Sequence, residues 1–432
     1  MRIPPDELLV DATGAADPQE IADVAKAAVA GGTGVGVGGG ERATDVLVLV
    51  HGWNETHLGA TVLYTRLADG VADAIARRDV GERRFAALGV VWPSLRWADA
   101  DGVLQTGGGA ALGDDVQLLH QAIGQSVDDA AAGADLRALA TRLGTPAGRA
   151  EFVATLRRRL PDPAAVADDD PLPLALAHGE ADELFATVAE ADVTAELLLG
   201  GGGSGGLGGS GGAAGFGFPD LSPLVIARRL IGITSYYTMK ERAGLVGTGA
   251  VARLVEELRA HDVRVHLAGH SFGARVVSAA ATTAGVPVHS LTLLQGAFSH
   301  VGFAPSDVDR PAGAFRPALT DGVLGPVVAT HTHNDRAVTF AYAVASRVAR
   351  QVADAFGGPD DPYGGIGANG AVGTPEAVFE ELADRDATYA FVPGRVHNLR
   401  ADRFVLNHLD VRGPEIANAL LQAMHTTTPT QP

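Results

Sequence analysis

Three kinds of residue in this 432-residue chain could together break an acyl bond: a glycine-flanked serine, a histidine and an aspartate. Gly269-His270-Ser271-Phe272-Gly273 fits the pattern G-x-S-x-G, in which a nucleophile sits on a tight strand-to-helix turn. The serine must take a strained backbone there, and the flanking glycines relieve crowding against neighbouring elements. In a chain with 56 glycines the bare pattern carries little weight, and it recurs around Ser204 and Ser210. Those two serines lie in a Gly/Ser tract with no strand before them and no helix after. Ser271 follows an apolar run at 263–268 and precedes a helical pattern at 272–284. Serine is a poor nucleophile at its own pKa, so it needs a base, and the base needs a carboxylate to orient it.

Elements able to position such a set are legible along the chain. A short strand is expected at 7–12, then a helix capped by Asp17 with Pro18 in its first turn and running to about residue 30. The unbroken apolar run 46–50 reads as a strand buried on both faces. A helix at 59–78 and a strand at 85–92 follow. From about 99 to 222 the apolar residues keep helical spacing, as in Val116, Leu119, His120 and Ile123, then Phe152, Leu156 and Leu160, then Leu184, Val188 and Ala191. This block reads as a helical insertion, with an acidic Pro-rich connector at 161–173 and a Gly/Ser tract at 200–217 expected to be flexible. Alternation resumes with a helix striped by Val251, Leu254, Val255 and Leu258. Strands are expected at 263–268, 290–295, 326–332 and 388–392, and helices at 272–284, 336–355 and 414–424. Strands alternating with helices predict an α/β fold with a mostly parallel sheet covered on both faces. The expected organisation is a core made of 1–98 and 223–432, interrupted by the insertion 99–222.

With these segments in view, the chain resembles the α/β-hydrolase superfamily in its serine esterase and lipase branch. The resemblance rests on Leu47-Val48-Leu49-Val50-His51-Gly52-Trp53-Asn54, on Gly269 to Gly273, on Asn334-Asp335-Arg336-Ala337 and on Asn407-His408-Leu409-Asp410-Val411. They follow the family's order of oxyanion strand, nucleophile, acid and histidine. The resemblance implies Ser271 as nucleophile, His408 as base and Asp335 as orienting acid. It implies an oxyanion hole made by the backbone N–H groups of Trp53 and Phe272. It puts His51, Gly52, Asn54, His270 and Phe298 at the substrate, and makes the insertion a cap or lid over an apolar cleft lined partly by Trp92, Trp97 and Phe298.

Rival assignments exist for each member. His397 and His425 compete with His408; the first precedes the last apolar run, at 403–406, and the second is close to the C-terminus. Asp335 could instead cap the helix beginning near 336, a use expected to compete with catalysis. Asp307 and Asp309, after the preceding strand, are the alternative acids. His331, His333 and Asp335 alternate along a strand and could share one metal ion, but no fourth ligand cluster is evident and the serine set already uses Asp335. Gly34-Val35-Gly36-Val37-Gly38-Gly39 fits a nucleotide-binding glycine pattern but precedes a strand, where a phosphate cradle needs a helix to follow. Asp168-Asp169-Asp170 reads as a solvated linker without calcium-loop spacing.

Bulk properties narrow the function further. A net charge of −18, with basic residues almost all arginine, disfavours a nucleic-acid partner. The absence of cysteine excludes disulfides, thiolate metal sites and a cysteine nucleophile. No run of 18 or more apolar residues predicts a membrane span, and the N-terminus lacks the pattern of a signal peptide, so a cytoplasmic location is expected. The expected activity is hydrolysis of carboxylic esters of a hydrophobic small molecule or lipid, with no cofactor or metal. The same residues would serve a thioesterase, acyltransferase or peptidase, and a catalytically silent binding protein of this fold is the alternative outside enzymes.

Overall fold

The computed structural model describes residues 6–31, 41–94, 112–127, 130–158, 160–161, 176–190, 222–308, 310–335, 338 and 364–426. Eight strands form one wholly parallel sheet: β1 (Asp6–Leu9), β2 (Asp45–Val50), β3 (Phe85–Val91), β4 (Arg264–His270), β5 (Ser290–Leu294), β6 (Val327–His331), β7 (Ala377–Glu381) and β8 (Val396–Arg400). Their order across the sheet is β1-β3-β2-β4-β5-β6-β8-β7. Burial on both faces explains the continuous apolar runs, since alternate residues of one strand enter different cores. Val46, Val48 and Val50 of β2 join one core, while Leu47 and Leu49 join the other.

The first core is closed by α1 (Pro18–Val29) and by helices from the middle of the chain, and the second by α2 (His57–Ile75) and the C-terminal helix. Asp17 caps α1 as expected, its carboxylate accepting from the Gln19 N–H at 2.7 Å with Pro18 in the first turn. Between β3 and β4 lie α3 (Leu112–Ser126), α4 (Ala130–Leu139), α5 (Pro146–Arg157) and α6 (Ala181–Glu190). They share a third core around Leu119, Ile123, Phe152, Leu156, Leu184 and Val188, the stripes visible in the sequence.

One long helix was not anticipated. Helix α7 (Pro223–Val246) continues through a π-helical turn, Gly247–Val251, into α8 (Ala252–Ala260). Its N-terminal part, with Ile226, Leu230 and Tyr237, packs into the third core, and its C-terminal part, with Met239, Ala243 and Val246, into the first. Different faces are buried in different parts, so no single apolar stripe marks it. The available signal was Ser222-Pro223, a capping serine followed by proline.

The strand expected at 388–392 does not form. Tyr389 and Phe391 instead stack on each other at 4.7 Å against the second core, and the Tyr389 N–H donates to the Gln422 side chain at 2.8 Å. The real strands there are β7, an edge strand rich in glutamate, and β8, whose buried His397 and Asn398 break the apolar pattern. Strand β1 ends early because Asp11 folds the chain into a turn, accepting from the N–H groups of Thr13 and Ala15. Helix α9 (Phe272–Thr283) follows β4, a short turn α10 (Ile366–Asn369) precedes β7, and α11 (Pro414–His425) ends the described chain.

Several expectations fall outside the described residues: the helix 336–355 apart from Val338, the tract 200–217 with Ser204 and Ser210, Trp97, Asp309, the acidic run 168–170 and the glycine pattern 34–39. No helix among the described residues is long and apolar enough to cross a membrane.

Candidate active site

From β2 the chain moves to β3 on one side, while β4 pairs on the other, so β2 and β4 flank the point where the strand order reverses. Ligands of open parallel sheets bind in the crevice beyond the carboxyl ends at such a point. Here those ends carry His51, Gly52 and Trp53 on one side and His270 and Ser271 on the other, with Val50 directly opposite Gly269. The two segments touch: a Cβ on Gly52 would lie 2.7 Å from that of Ser271.

Ser271 stands between β4 and α9 at φ 55° and ψ −122°, a conformation that L-residues rarely adopt. Such a backbone costs on the order of 1–3 kcal/mol and persists only when its surroundings fix it. Those surroundings are hydrogen bonds from Ser271 N–H to the Leu294 carbonyl (3.0 Å) and from Ala297 N–H to the Ser271 carbonyl (3.1 Å). The turn is tight enough to demand both motif glycines. A Cβ on Gly269 would meet the Gly273 carbonyl oxygen at 2.1 Å, and one on Gly273 would meet the Val50 oxygen at 2.2 Å.

The loop after β8 brings His408 to this turn. The Ser271 hydroxyl and His408 Nε2 are 2.8 Å apart, and His408 Nδ1 lies 2.8 Å from Asp335 Oδ2. Ser271 is 7% exposed and the Asp335 side chain is fully buried, whereas His408 keeps an open edge. The expected competition between capping and orienting is not seen at Asp335. Its Oδ1 accepts from the Val338 N–H at 3.0 Å while Oδ2 faces His408, so each oxygen serves one use.

A second row of the same residue types shows why contact alone is insufficient. Ser290 and His266 Nδ1 are 2.9 Å apart, and His266 Nε2 is 3.0 Å from Asp45. All three are wholly buried, and Asp45 also binds Arg83 and Arg264. Burial alone would raise the Asp45 carboxyl, but hydrogen bonds from His266 and Arg83 outweigh it and hold the group far below the usual carboxylate range. This row ties the amino-terminal ends of β2, β4 and β5 together and offers no substrate a path. Only the Ser271 row joins a strained turn to partial exposure at the strands' carboxyl ends.

Of the two expected oxyanion donors, the Phe272 N–H begins α9, where helical amides lack intrahelical partners. Among the described residues neither it nor the Trp53 N–H is engaged by an acceptor. The rings of Trp53 and Phe272 lie 6.0 Å apart, and Tyr236 of α7 packs on both, at 6.0 and 5.1 Å. Asn54 is half-buried at φ 57°, its N–H donating to the Ser94 carbonyl.

Three residues expected at the substrate have packing roles. The His51 ring is buried and stacked on Trp92 at 5.6 Å; its Nδ1 lies 2.9 Å from the Gly52 carbonyl, and its Nε2 accepts from the Trp92 N–H. Burial pushes its pKa down to about 4. Phe298 is wholly buried against Phe303 and Phe315. Neither Phe298 nor Trp92 therefore lines an open cleft. His270 is buried and contacts His408 itself, with Nε2 2.8 Å from the His408 carbonyl.

The rivals are engaged elsewhere. His397 sits in β8, bridging Glu380 and the Val392 N–H, and His425 ends α11. Asp307 is exposed and pairs with Arg310. His331, His333 and Asp335 diverge towards Ala368, Asp402 and His408, and no group of three His, Cys, Asp or Glu among the described residues could hold a metal ion. Comparison with protein-family models, curated proteins and solved structures finds no match to this chain.

Proposed function

We propose that the chain is a serine hydrolase of the α/β-hydrolase fold, cleaving carboxylic esters of a hydrophobic small molecule or lipid. The observation that carries this reading is the unbroken Ser271–His408–Asp335 row on a strained strand-to-helix turn at the point of strand reversal. Ser271 Oγ attacks the ester carbonyl as His408 Nε2 takes its proton, and Asp335 supports the imidazolium that forms. The N–H groups of Trp53 and Phe272 receive the charge developing on the carbonyl oxygen. Collapse breaks the bond to the alcohol, which leaves with the proton from His408. Water, deprotonated by the same nitrogen, then attacks the acyl carbon, and the acyl–Oγ bond breaks as His408 returns the proton to Ser271, freeing the acid.

Labelling by a fluorophosphonate probe tests this directly. The intact protein should be labelled at one serine, and Ser271→Ala should not be labelled at all. Well-folded protein that takes no probe and turns over no p-nitrophenyl ester would point instead to a silent binding protein.

Tyr236 supports an apolar acyl group as the substrate feature and gives the helical block a part in selecting it. It packs against both the sheet core and the third core while touching the residues of both proposed oxyanion donors. Tyr236→Ala should shift the preferred p-nitrophenyl ester towards longer chains, changing relative kcat/KM by about 10-fold for one or two methylenes. An unchanged chain-length profile would remove Tyr236 from substrate selection.

A further inference from the structure

We propose that His270 is a positioning residue for the base, its Nε2–H holding the main-chain carbonyl of His408 so that the ring stands in reach of Ser271. This rests on the serine-hydrolase reading above.

The loop 401–412, which carries His408, has no regular secondary structure. Its first part is well tied to the segment bearing Asp335. Thr332 and the His333 N–H donate to the Asp402 carboxylate at 2.8 and 2.9 Å, and Asn334 donates to the carbonyls of Asp402 and Val405, both at 3.0 Å. Beyond Val405 the chain emerges, with Leu406 66% exposed. The Leu406 N–H then meets Asp410 and the Leu409 N–H meets Asn407, bonds that stay within the loop. Among the described residues, the hydrogen bond from His270 is the one that ties a main-chain group of 406–410 to the body of the protein.

His270 suits this task by its place and its chemistry. It is the last residue of β4 and directly precedes Ser271, so nucleophile and base are both measured from one strand end. Its ring is buried, with the centroid 4.9 Å from that of His408. Burial, reinforced by the neighbouring His408, pushes its pKa down to about 3, which leaves a neutral imidazole at working pH. A neutral ring bonded to a carbonyl must carry its proton on Nε2. It therefore donates without placing a second positive charge beside the imidazolium that His408 becomes.

The test compares His270→Phe, which fills the space without a donor, with His270→Gln, whose amide nitrogen can stand near Nε2. Two readouts are used: the fluorophosphonate labelling rate, and the downfield proton NMR resonance of the His408 Nδ1–H, assigned by its loss in His408→Ala. In His270→Phe labelling should slow by about 10- to 100-fold, the effect of an ångström-scale misplacement, with KM for a p-nitrophenyl ester unchanged. The resonance should broaden or vanish, and His270→Gln should restore both within a few-fold. A sharp resonance and full labelling rate in His270→Phe would overturn the proposal, as would a folded His270→Gln no better than His270→Phe. A wild type that shows the resonance but takes no probe would sink the hydrolase reading, and the resonance in His270→Phe would still decide whether His270 positions the ring.

Discussion

Asp335→Asn should lower kcat for ester hydrolysis by about 10⁴-fold while leaving the melting temperature nearly unchanged. The asparagine oxygen can still accept from the Val338 N–H, so that bond survives. The amide nitrogen then faces His408 Nδ1 and favours the tautomer with a proton on Nε2. That tautomer cannot accept the proton of Ser271. Asp335→Ala should lose a comparable rate and, in addition, about 1 kcal/mol of stability with the bond from the Val338 N–H. Kinetics and thermal melting of the two variants thus separate the uses of the two carboxylate oxygens. An asparagine variant within about tenfold of wild type would show that Asp335 does not fix the tautomer of His408.

The second large effect is on stability. Burial pushes His51 and His331 down to about 4 and His270 and His289 to about 3. In the unfolded chain each would titrate near its ordinary value of about 6.5. The folded pKa values are depressed, so the stability linked to these groups is present in full above about pH 6.5. It is lost as pH falls from there towards the folded values, because the unfolded chain takes protons that the native protein refuses. At pH 5 the loss is about 2 kcal/mol per residue, and four such residues erode much of a total that is typically about 5–15 kcal/mol. The melting temperature should therefore drop steeply between about pH 6.5 and 5. Asp45 contributes only further down, as pH falls below the ordinary carboxylate value of about 3.9. His289→Asn, with its amide oxygen replacing Nδ1 as acceptor for the Val265 N–H, should flatten part of the slope. A melting temperature constant from pH 7 to 5 would mean that these rings are hydrated or already charged in the native protein.

What the sequence left illegible has specific physical causes. Strand β8 was missed because its buried positions hold His397 and Asn398, paired by side-chain bonds that no hydropathy pattern reveals. Residues 388–392 looked like a strand because aromatic residues alternate there, yet their partners are each other and Gln422. Helix α7 was hidden because two cores claim different faces of it. The resemblance puts His51 and Phe298 at the substrate, but it does not fix which way a ring turns, and both rings are buried.

The parallel α/β sheet, most of its strands and helices, and Ser271, His408 and Asp335 as candidates were readable from the sequence alone. Local rules suffice for the elements and for Ser271: apolar runs bury strands on two faces, caps and prolines start helices, and a G-x-S-x-G between a strand and a helix marks a tight turn, whereas His408 and Asp335 follow from the order of motifs in the resemblance. Only the tertiary structure decided which of two Ser-His-Asp rows is accessible, that Asp335 both caps and faces the base, and that His270 reaches His408 across 138 positions of chain. Those outcomes depend on burial and on contacts between loops that share no sequence pattern, so they exist only once the strand ends have been brought together.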